Sequence, residues 1–301
     1  MAGRGILSIV HLCESDSFEG TAKSFGFFQV EYSNSPAFSI MIPQLVASQF
    51  HRFMTSGRTS PALCGCEDGE GNRVDDFVVK LRGGLDNGQK GLLFELVASR
   101  LAAHFGLASP DPALVSIDTE FAELVVAREP HQATRMRNSI GLNFGSRLLV
   151  DATEWPVDMK IPDSMRQTAV NIFAFDALIQ NPDRRFENQN LLIRGDDIFV
   201  FDHELAFSFL FGILPSPTPW RLEDQLYLAD HVFYTRLKKK PVDLSRFVAA
   251  LVALPERATQ EIVAEVPAEW NNEVLSRIEG HLRVVSNHAI EFAEEVRRRL
   301  A

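Results

Sequence analysis

Residues 171–207 read NIFAFDALIQNPDRRFENQNLLIRGDDIFVFDHELAF, a strongly apolar stretch interrupted by polar positions. Three of these polar residues are Asp183, Asn188 and Asp202. Apolar residues over 169–179 recur at spacings of three and four, which predicts a largely buried helix. Pro182 disfavours helical backbone at the residue before it, so we expect Asp183 in a turn that ends this helix.

A short β-hairpin is predicted after the turn. Residues 191–193 and 198–201 are apolar, and the turn sequence Gly195-Asp196-Asp197 separates them. Two short apolar runs joined by glycine and aspartate are typical of a two-stranded ribbon. Asp202 therefore falls at the end of the second strand.

A polar loop, a ribbon and an acidic residue just beyond it form an arrangement that is typical of phosphoryl transfer. One carboxylate orients the acceptor hydroxyl, while an amide oxygen and a second carboxylate hold Mg²⁺ on the nucleotide phosphates. Asp183 and Asn188 are five residues apart, as in the D-x-x-x-x-N pattern of protein-kinase catalytic loops. The alternative is that Asp183 belongs to an ordinary turn. Asn188, Asn190 and Asp202 would then only cap strand ends.

Composition limits the class of protein. The chain has 301 residues, of which 46% are hydrophobic and 23% charged, so it is long enough for one large globular domain or two lobes. Its net charge of -10 argues against direct binding of nucleic acid. The three cysteines, Cys13, Cys64 and Cys66, form no disulfide framework, and Cys64-x-Cys66 has no second ligand pair for a metal. We expect a cytoplasmic protein with no membrane association, because neither a signal peptide nor a membrane span is apparent.

The first part of the chain carries weaker patterns. Apolar runs at 6–12 and 25–32 indicate strands, and residues 41–54 have the apolar spacing of a helix. A small polar loop, Ser56 to Ser60, then leads into a predicted strand at 62–66.

Lys80 lies on a second predicted strand, 77–81. In a nucleotide site, the polar loop before these strands would offer backbone N–H groups to phosphates and the lysine would add positive charge. The alternative is an ordinary hairpin with a solvated lysine.

Residues 92–105 form the clearest predicted helix in this half, and it carries Glu95. A glutamate on a helix that follows a strand lysine is similar to the Lys–Glu pair that positions ATP in kinases, although an exposed glutamate on an amphipathic helix is the alternative. Strands are expected at 113–117 and 122–127, and an extended excursion at 139–150. A long amphipathic helix is expected from residue 273 to the end.

Together these segments resemble the HipA-like kinase family, bacterial relatives of the protein and phosphatidylinositol kinase folds. The resemblance covers about residues 55–210. It rests on the segments SGRTSPALCGCEDG, FVVKLRGG, FELVASRLAAHFGLASPDPALV, GLNFGSRLL, NIFAFDALIQNPDRRFENQNLL and FVFDHELAF.

The resemblance implies a role for each matching residue. Lys80 would contact the ATP phosphates and Glu95 would brace it. Asp183 would be the catalytic carboxylate. Asn188 and Asp202 would bind Mg²⁺.

The loop over residues 56–60 would cover the phosphates, with Ser56, Gly57 and Ser60 in contact with ATP. Some members of the family autophosphorylate a serine in this loop, which makes Ser56, Thr59 and Ser60 candidate sites.

Two positions depart from related patterns. The family commonly has histidine two residues after the catalytic aspartate, where this chain has Arg185. The Asp-Phe-Gly of protein kinases is replaced by Asp202-His203-Glu204. Asn190 also competes with Asn188 for the metal role, and the five-residue spacing favours Asn188.

We therefore predict an α+β, two-lobed protein-kinase-like fold, with a small β-rich lobe over residues 1–127 and a mainly helical lobe over 128–301. The predicted function is ATP- and Mg²⁺-dependent phosphorylation of serine or threonine on a protein substrate, with an antitoxin-like protein as a possible partner. One alternative is a lipid or small-molecule acceptor. The other is a non-catalytic nucleotide-binding component of a toxin–antitoxin or defence system.

Overall fold

The computed structural model describes residues 41–54, 59–212, 216–254, 256–270 and 273–301. All of them belong to one compact unit, Ile40–Ala301. The strands predicted at 6–12 and 25–32, and the loop residues Ser56 and Gly57, lie outside the described residues. Within the described ranges, no helix has the length and apolar character needed to cross a membrane.

Five strands form a closed barrel in the order β1-β2-β3-β5-β4. They are β1 (Gln44–Phe53), β2 (Ala62–Glu67), β3 (Arg73–Lys80), β4 (Pro112–Ile117) and β5 (Gly141–Arg147). Neighbouring strands are antiparallel except β1 and β4, whose parallel pairing closes the barrel. Closure leaves no unpaired edge among these five described strands.

The helix predicted at 41–54 is wrong, because this segment is strand β1. Its inward residues Leu45 and Ala47 alternate as in any strand, but the next buried residue is Phe50. Irregular pairing between Ala47 and Gln49 accounts for the change, since an extra residue in a strand shifts which side chains point inward. The resulting spacing imitated a helical period.

Two further expectations for this part are also wrong. Residues 122–127 belong to helix α2 (Thr119–Arg128), and Asp118 caps it by accepting a hydrogen bond from the Phe121 backbone N–H at 2.7 Å. The excursion expected at 139–150 contains β5, which pairs with both β3 and β4. The domain boundary predicted at residue 127 falls within α2 and stays a prediction.

The strands predicted at 62–66, 77–81 and 113–117 are confirmed as β2, β3 and β4. Helix α1 (Gln89–His104) confirms the helix predicted at 92–105, and most of its residues are buried. Glu95 lies on its buried face.

The second part of the chain is mainly helical. Its helices are α3 (Ala133–Arg137), α4 (Arg166–Leu178), α5 (Tyr234–Leu237), α6 (Ser245–Val252), α7 (Glu256–Glu265), α8 (Glu273–Asn287) and α9 (Ala289–Leu300). The single helix expected from residue 273 is interrupted at His288, whose backbone has φ -121° and ψ 35°. The His288 ring stacks on Trp220, with 3.6 Å between the ring centroids. The predicted mixture of a β-rich part and a helical part is confirmed.

Helix α4 confirms the buried helix predicted before Asp183, and its residues from Ala169 to Leu178 are nearly all buried. A three-stranded sheet follows in the order β6-β7-β8. Its strands are β6 (Thr153–Glu154), β7 (Leu191–Arg194) and β8 (Asp197–Val200). Strands β7 and β8 form the predicted hairpin, which places Asp202 just beyond the second strand.

Candidate active site

A cavity of about 310 Å³ is lined by residues of the barrel and of the β7–β8 hairpin. Val78, Leu192 and Phe201 give it apolar walls, while Lys80, Glu95 and Asp202 supply charge. The cavity therefore has both apolar and strongly polar surfaces, as small-molecule sites usually do.

Lys80 lies at the end of β3, and its ammonium group meets three carboxylates. Its Nζ is 2.7 Å from Asp202 Oδ1, 3.2 Å from Glu95 Oε1 and 3.5 Å from Glu204 Oε2. Burial acts to lower the pKa of Lys80, but the three negative charges outweigh it and hold the pKa above its ordinary value. Lys80 is therefore a permanently charged, buried ammonium group.

Glu95 links the lysine to the segment after the hairpin. While Oε1 faces Lys80, Oε2 accepts a hydrogen bond from the backbone N–H of His203 at 3.0 Å. Burial raises the pKa of Glu95, and the charge of Lys80 works against that rise. Helix α1 is thus joined to residue 203 through the Glu95 carboxylate, and strand β3 is joined to residue 202 through the Lys80 ammonium group.

Asp183 lies in the turn after α4, and two asparagine side chains hold its carboxylate. Oδ2 accepts from Asn188 Nδ2 at 2.8 Å and from Asn190 Nδ2 at 3.1 Å. Arg185 Nη2 is 3.5 Å from the other oxygen. Burial raises the pKa of Asp183; the Asn188 hydrogen bond opposes the rise and the charge of Asp202 adds to it. Asp183 is therefore a partly buried, oriented carboxylate.

Asp202 has left-handed backbone with φ 58°. This region is uncommon for a residue other than glycine, although aspartate tolerates it better than most, and such backbone is frequent at functional sites. Burial acts to raise the pKa of Asp202, but Lys80 outweighs it and the pKa lies below its ordinary value. The carboxylate is therefore ionised.

The donor set fits a divalent cation such as Mg²⁺. Asn188 uses its Nδ2 to bond Asp183, so its carbonyl oxygen is the atom that remains for a cation. Asp202 offers a carboxylate, and magnesium prefers oxygen ligands of these two kinds. One carboxylate oxygen each from Glu95, Asp202 and Glu204 also lie within 4.8 Å of one another, with Lys80 in contact with all three.

The structure thus brings Lys80, Glu95 and Asp202 into one cluster and joins Asp183 to Asn188. Of the predicted phosphate loop, Ser60 is described and has a left-handed φ of 44°. Its neighbours Thr59 and Pro61 line the cavity. Ser56 and Gly57 lie outside the described residues.

Sequence reasoning missed a buried polar network behind Asp183. Its members are Asp176, Asn181, Arg184, His203 and His231, and all are nearly inaccessible to solvent. Asp176 Oδ2 accepts from Arg184 Nε at 2.7 Å and lies 3.0 Å from His231 Nε2. Burial acts to raise the pKa of Asp176, but Arg184 and the histidines hold it at about 2. The signal in the sequence was an aspartate inside the otherwise apolar run 172–179.

His203 belongs to this network and follows the predicted metal ligand Asp202. Burial and the neighbouring charge of Arg184 lower the pKa of His203 to about 3. Its Nε2 lies 3.0 Å from Arg184 Nη2. Arginine can only donate, so this imidazole nitrogen is the acceptor and carries no proton.

The chain was compared with protein families, curated sequences and solved structures. A family model described as a HipA-like kinase matches residues 47–292 and confirms the resemblance. No curated protein sequence matches the chain. Among solved structures, the proinflammatory kinase CtkA of Helicobacter pylori is similar, with 11% identity and a TM-score of 0.46, over 84% of this chain and 99% of that one. The MAP kinase LmaMPK10 of Leishmania major has 15% identity and a TM-score of 0.30, over 83% and 81%. Because the family model spans most of its residues, this chain belongs to the HipA-like kinase family.

Proposed function

We propose that this chain is an ATP- and Mg²⁺-dependent kinase that phosphorylates a serine or threonine hydroxyl of a protein. The observation that carries the proposal is the cluster of Lys80, Glu95 and Asp202 at the cavity. Membership of a kinase family implies the use of ATP and a divalent metal. In this proposal the barrel and the helical part act as the two lobes of a kinase, with ATP in the cavity.

The lining of the cavity supports separate binding surfaces for the adenine ring and for the phosphates of the nucleotide. Val78, Leu192 and Phe201 provide apolar surface suited to the flat adenine ring. Lys80 provides the positive charge suited to phosphates, and Glu95 keeps its ammonium in place. The Lys80 ammonium group can thus neutralise part of the phosphate charge before phosphoryl transfer begins.

Asp183 is suited to orient the acceptor hydroxyl. Its carboxylate is held by Asn188 and Asn190, so little reorganisation is needed when the acceptor arrives. The hydroxyl oxygen attacks the γ-phosphorus, the bond to the β–γ bridging oxygen breaks, and ADP leaves. The hydroxyl proton passes to Asp183, whose pKa is raised by burial and so favours accepting it.

Asn188 and Asp202 would hold Mg²⁺, which when bound would neutralise charge on the phosphates. The left-handed backbone of Asp202 and its ion pair with Lys80 fix the position of its carboxylate. Lys80, which lines the same cavity, would add its own positive charge beside the phosphates.

The test is incubation of the full chain with γ-labelled ATP, Mg²⁺ and a cell extract, beside Asp183→Ala. We expect label in the protein fraction, on serine or threonine, above that of the extract alone with wild type and not with Asp183→Ala. Mass spectrometry of Ser56, Thr59 and Ser60 checks for autophosphorylation at the same time. Label confined to lipids or small molecules would assign a different acceptor class. ATP binding without any transfer would contradict the proposed activity.

A further inference from the structure

Arg184 follows the proposed catalytic aspartate, yet its side chain points away from solvent and is only 1% exposed. A buried guanidinium is costly unless its donors are satisfied. Here each of its three nitrogens has an acceptor. Nε donates to Asp176, Nη1 to backbone carbonyls, and Nη2 to the imidazole of His203.

These acceptors lie on both sides of the proposed chemistry. Nη1 donates to the carbonyl oxygen of Asn190, in the loop that carries Asn188, and to that of Phe201 at 3.3 Å. Phe201 and His203 are the two neighbours of Asp202 in the chain. A single planar group therefore touches the residue before Asp202, the residue after it, and the loop of the other proposed metal ligand.

The other end of the network holds Asp183. Asp176 Oδ1 accepts from the amide nitrogen of Asn181 at 2.9 Å, and the amide oxygen of Asn181 accepts from the backbone N–H of Asp183 at 3.1 Å. Asp176 also anchors Arg184, the next residue along. The buried carboxylate on α4 thus holds the side chains of Asn181 and Arg184, which lie on either side of Asp183 in the chain.

We propose that Arg184 is a positioning residue that holds the loop of Asp183 and the segment of Asp202 in a fixed relation. The planar guanidinium is required, because its three nitrogens donate to acceptors in three directions at once. Lysine offers only a point charge on a flexible stem. His203 relays the same constraint to the Lys80–Glu95 pair, since its backbone N–H donates to Glu95. This inference rests on the proposed kinase activity.

The experiment compares the wild type with Arg184→Lys, Arg184→Ala, Asp183→Asn and the control Arg299→Lys. Arg299 is a partly buried arginine whose guanidinium donates to the carbonyl oxygens of Leu222 and Gln225 instead. For each folded variant, phosphoryl transfer is measured against Mg²⁺ concentration, and nucleotide affinity is measured separately by calorimetry without metal.

We expect Arg184→Lys to lower kcat by about 10- to 100-fold and to raise the Mg²⁺ concentration for half-maximal rate. Nucleotide affinity without metal should stay within about twofold of wild type, because Lys80 and the cavity walls are unchanged. Arg299→Lys should resemble wild type in all three readouts. Guanidinium ion at low millimolar concentration should restore part of the activity of Arg184→Ala and none of that of Asp183→Asn.

If Arg184→Lys has the kcat and Mg²⁺ dependence of wild type, the positioning role of Arg184 is overturned. If Asp183→Asn is inactive in the same experiment, the proposed kinase activity still stands. A loss of rate that matches the loss of folded protein, with unchanged Mg²⁺ dependence, would also overturn it. Full activity of Asp183→Asn would instead refute the proposed function. If Arg184→Ala fails to fold, Arg184→Lys alone decides.

Discussion

Lys80 and Asp202 are 122 residues apart in the chain, and the Lys80 Nζ lies 2.7 Å from Asp202 Oδ1. The contact joins the last residue of β3 to the residue that follows the β7–β8 hairpin by two positions. It lies where Glu95 and Glu204 also converge. The barrel and the helical part of the chain therefore meet around one buried ammonium group.

Replacing Lys80 by methionine should reduce both the stability of the fold and the affinity for nucleotide. Without the ammonium, three largely buried carboxylates repel one another, and breaking a buried ion pair on one side costs about 3–5 kcal/mol of unfolding free energy. Urea unfolding and nucleotide titration measure the two effects. Lys90→Met is the matched control, because Lys90 is an exposed lysine on α1 and its loss should change stability by less than about 0.5 kcal/mol. Equal stability of the two variants would contradict the interpretation of this cluster.

Asn188 and Asn190 should differ in their effect on metal dependence, although both donate to Asp183. We expect Asn188→Ala to raise the Mg²⁺ concentration for half-maximal rate by about tenfold or more, since a proposed ligand is lost. Asn190→Gly should lower the rate without this shift, and glycine accommodates the left-handed φ of 49°. The reverse order in a Mg²⁺ titration would assign the metal to Asn190.

His281 should make stability depend on pH. Its Nε2–H donates to the Leu178 carbonyl oxygen at 2.8 Å, and burial lowers its pKa to about 4. In the unfolded chain the pKa of His281 is about 6.5, so below that pH the unfolded state binds a proton that the folded state does not bind. Stability attributable to this group is therefore lost as pH falls from about 6.5 toward 4.

His281→Gln keeps a donor for the carbonyl but does not titrate. Between pH 6 and 5 the wild type should lose about 1 kcal/mol more unfolding free energy than the variant. Urea denaturation at both pH values measures the difference. Parallel pH dependence of the two proteins would show that His281 is not held neutral in the fold.

Gly83 should tolerate no side chain. A Cβ at this position would lie 2.5 Å from the Arg135 carbonyl oxygen and 2.7 Å from Asn138 Cβ, in the turn that directly follows β3. We expect Gly83→Ala to destabilise the protein by about 1–3 kcal/mol in thermal or urea unfolding. Gly69→Ala is the control, since an added Cβ there meets nothing within 4 Å. Similar stability of both variants would show that the 133–139 segment moves at little cost to make room for the added methyl group.

The predicted active-site residues came from segments whose patterns are local. A buried helix, a proline turn and a short hairpin determine where Asp183 and Asp202 lie in the chain, and each leaves a clear sequence signal. Strand β1 could not be predicted in the same way, because its pairing irregularity changed the period of its buried residues. Helix α2 was missed because its apolar residues were read without the Asp118 cap that begins it.

Arg184 shows a different limit. In the sequence it is one of two consecutive arginines in a polar turn, and only the fold reveals that one is buried and its neighbour Arg185 half exposed. Its partners at positions 176, 190, 201 and 203 lie on three separate segments. Long-range hydrogen bonding of this kind has no spacing that a sequence pattern can display.

The most direct test of the proposed catalytic role of Asp183 is the rate of ADP formation by wild type and Asp183→Asn, with ATP affinity measured on the same samples. We expect Asp183→Asn to lower kcat by about 10²- to 10⁴-fold and to leave ATP affinity nearly unchanged, since Asp183 orients the acceptor and does not line the nucleotide cavity. A variant that turns over ATP at the wild-type rate would contradict the proposed kinase mechanism.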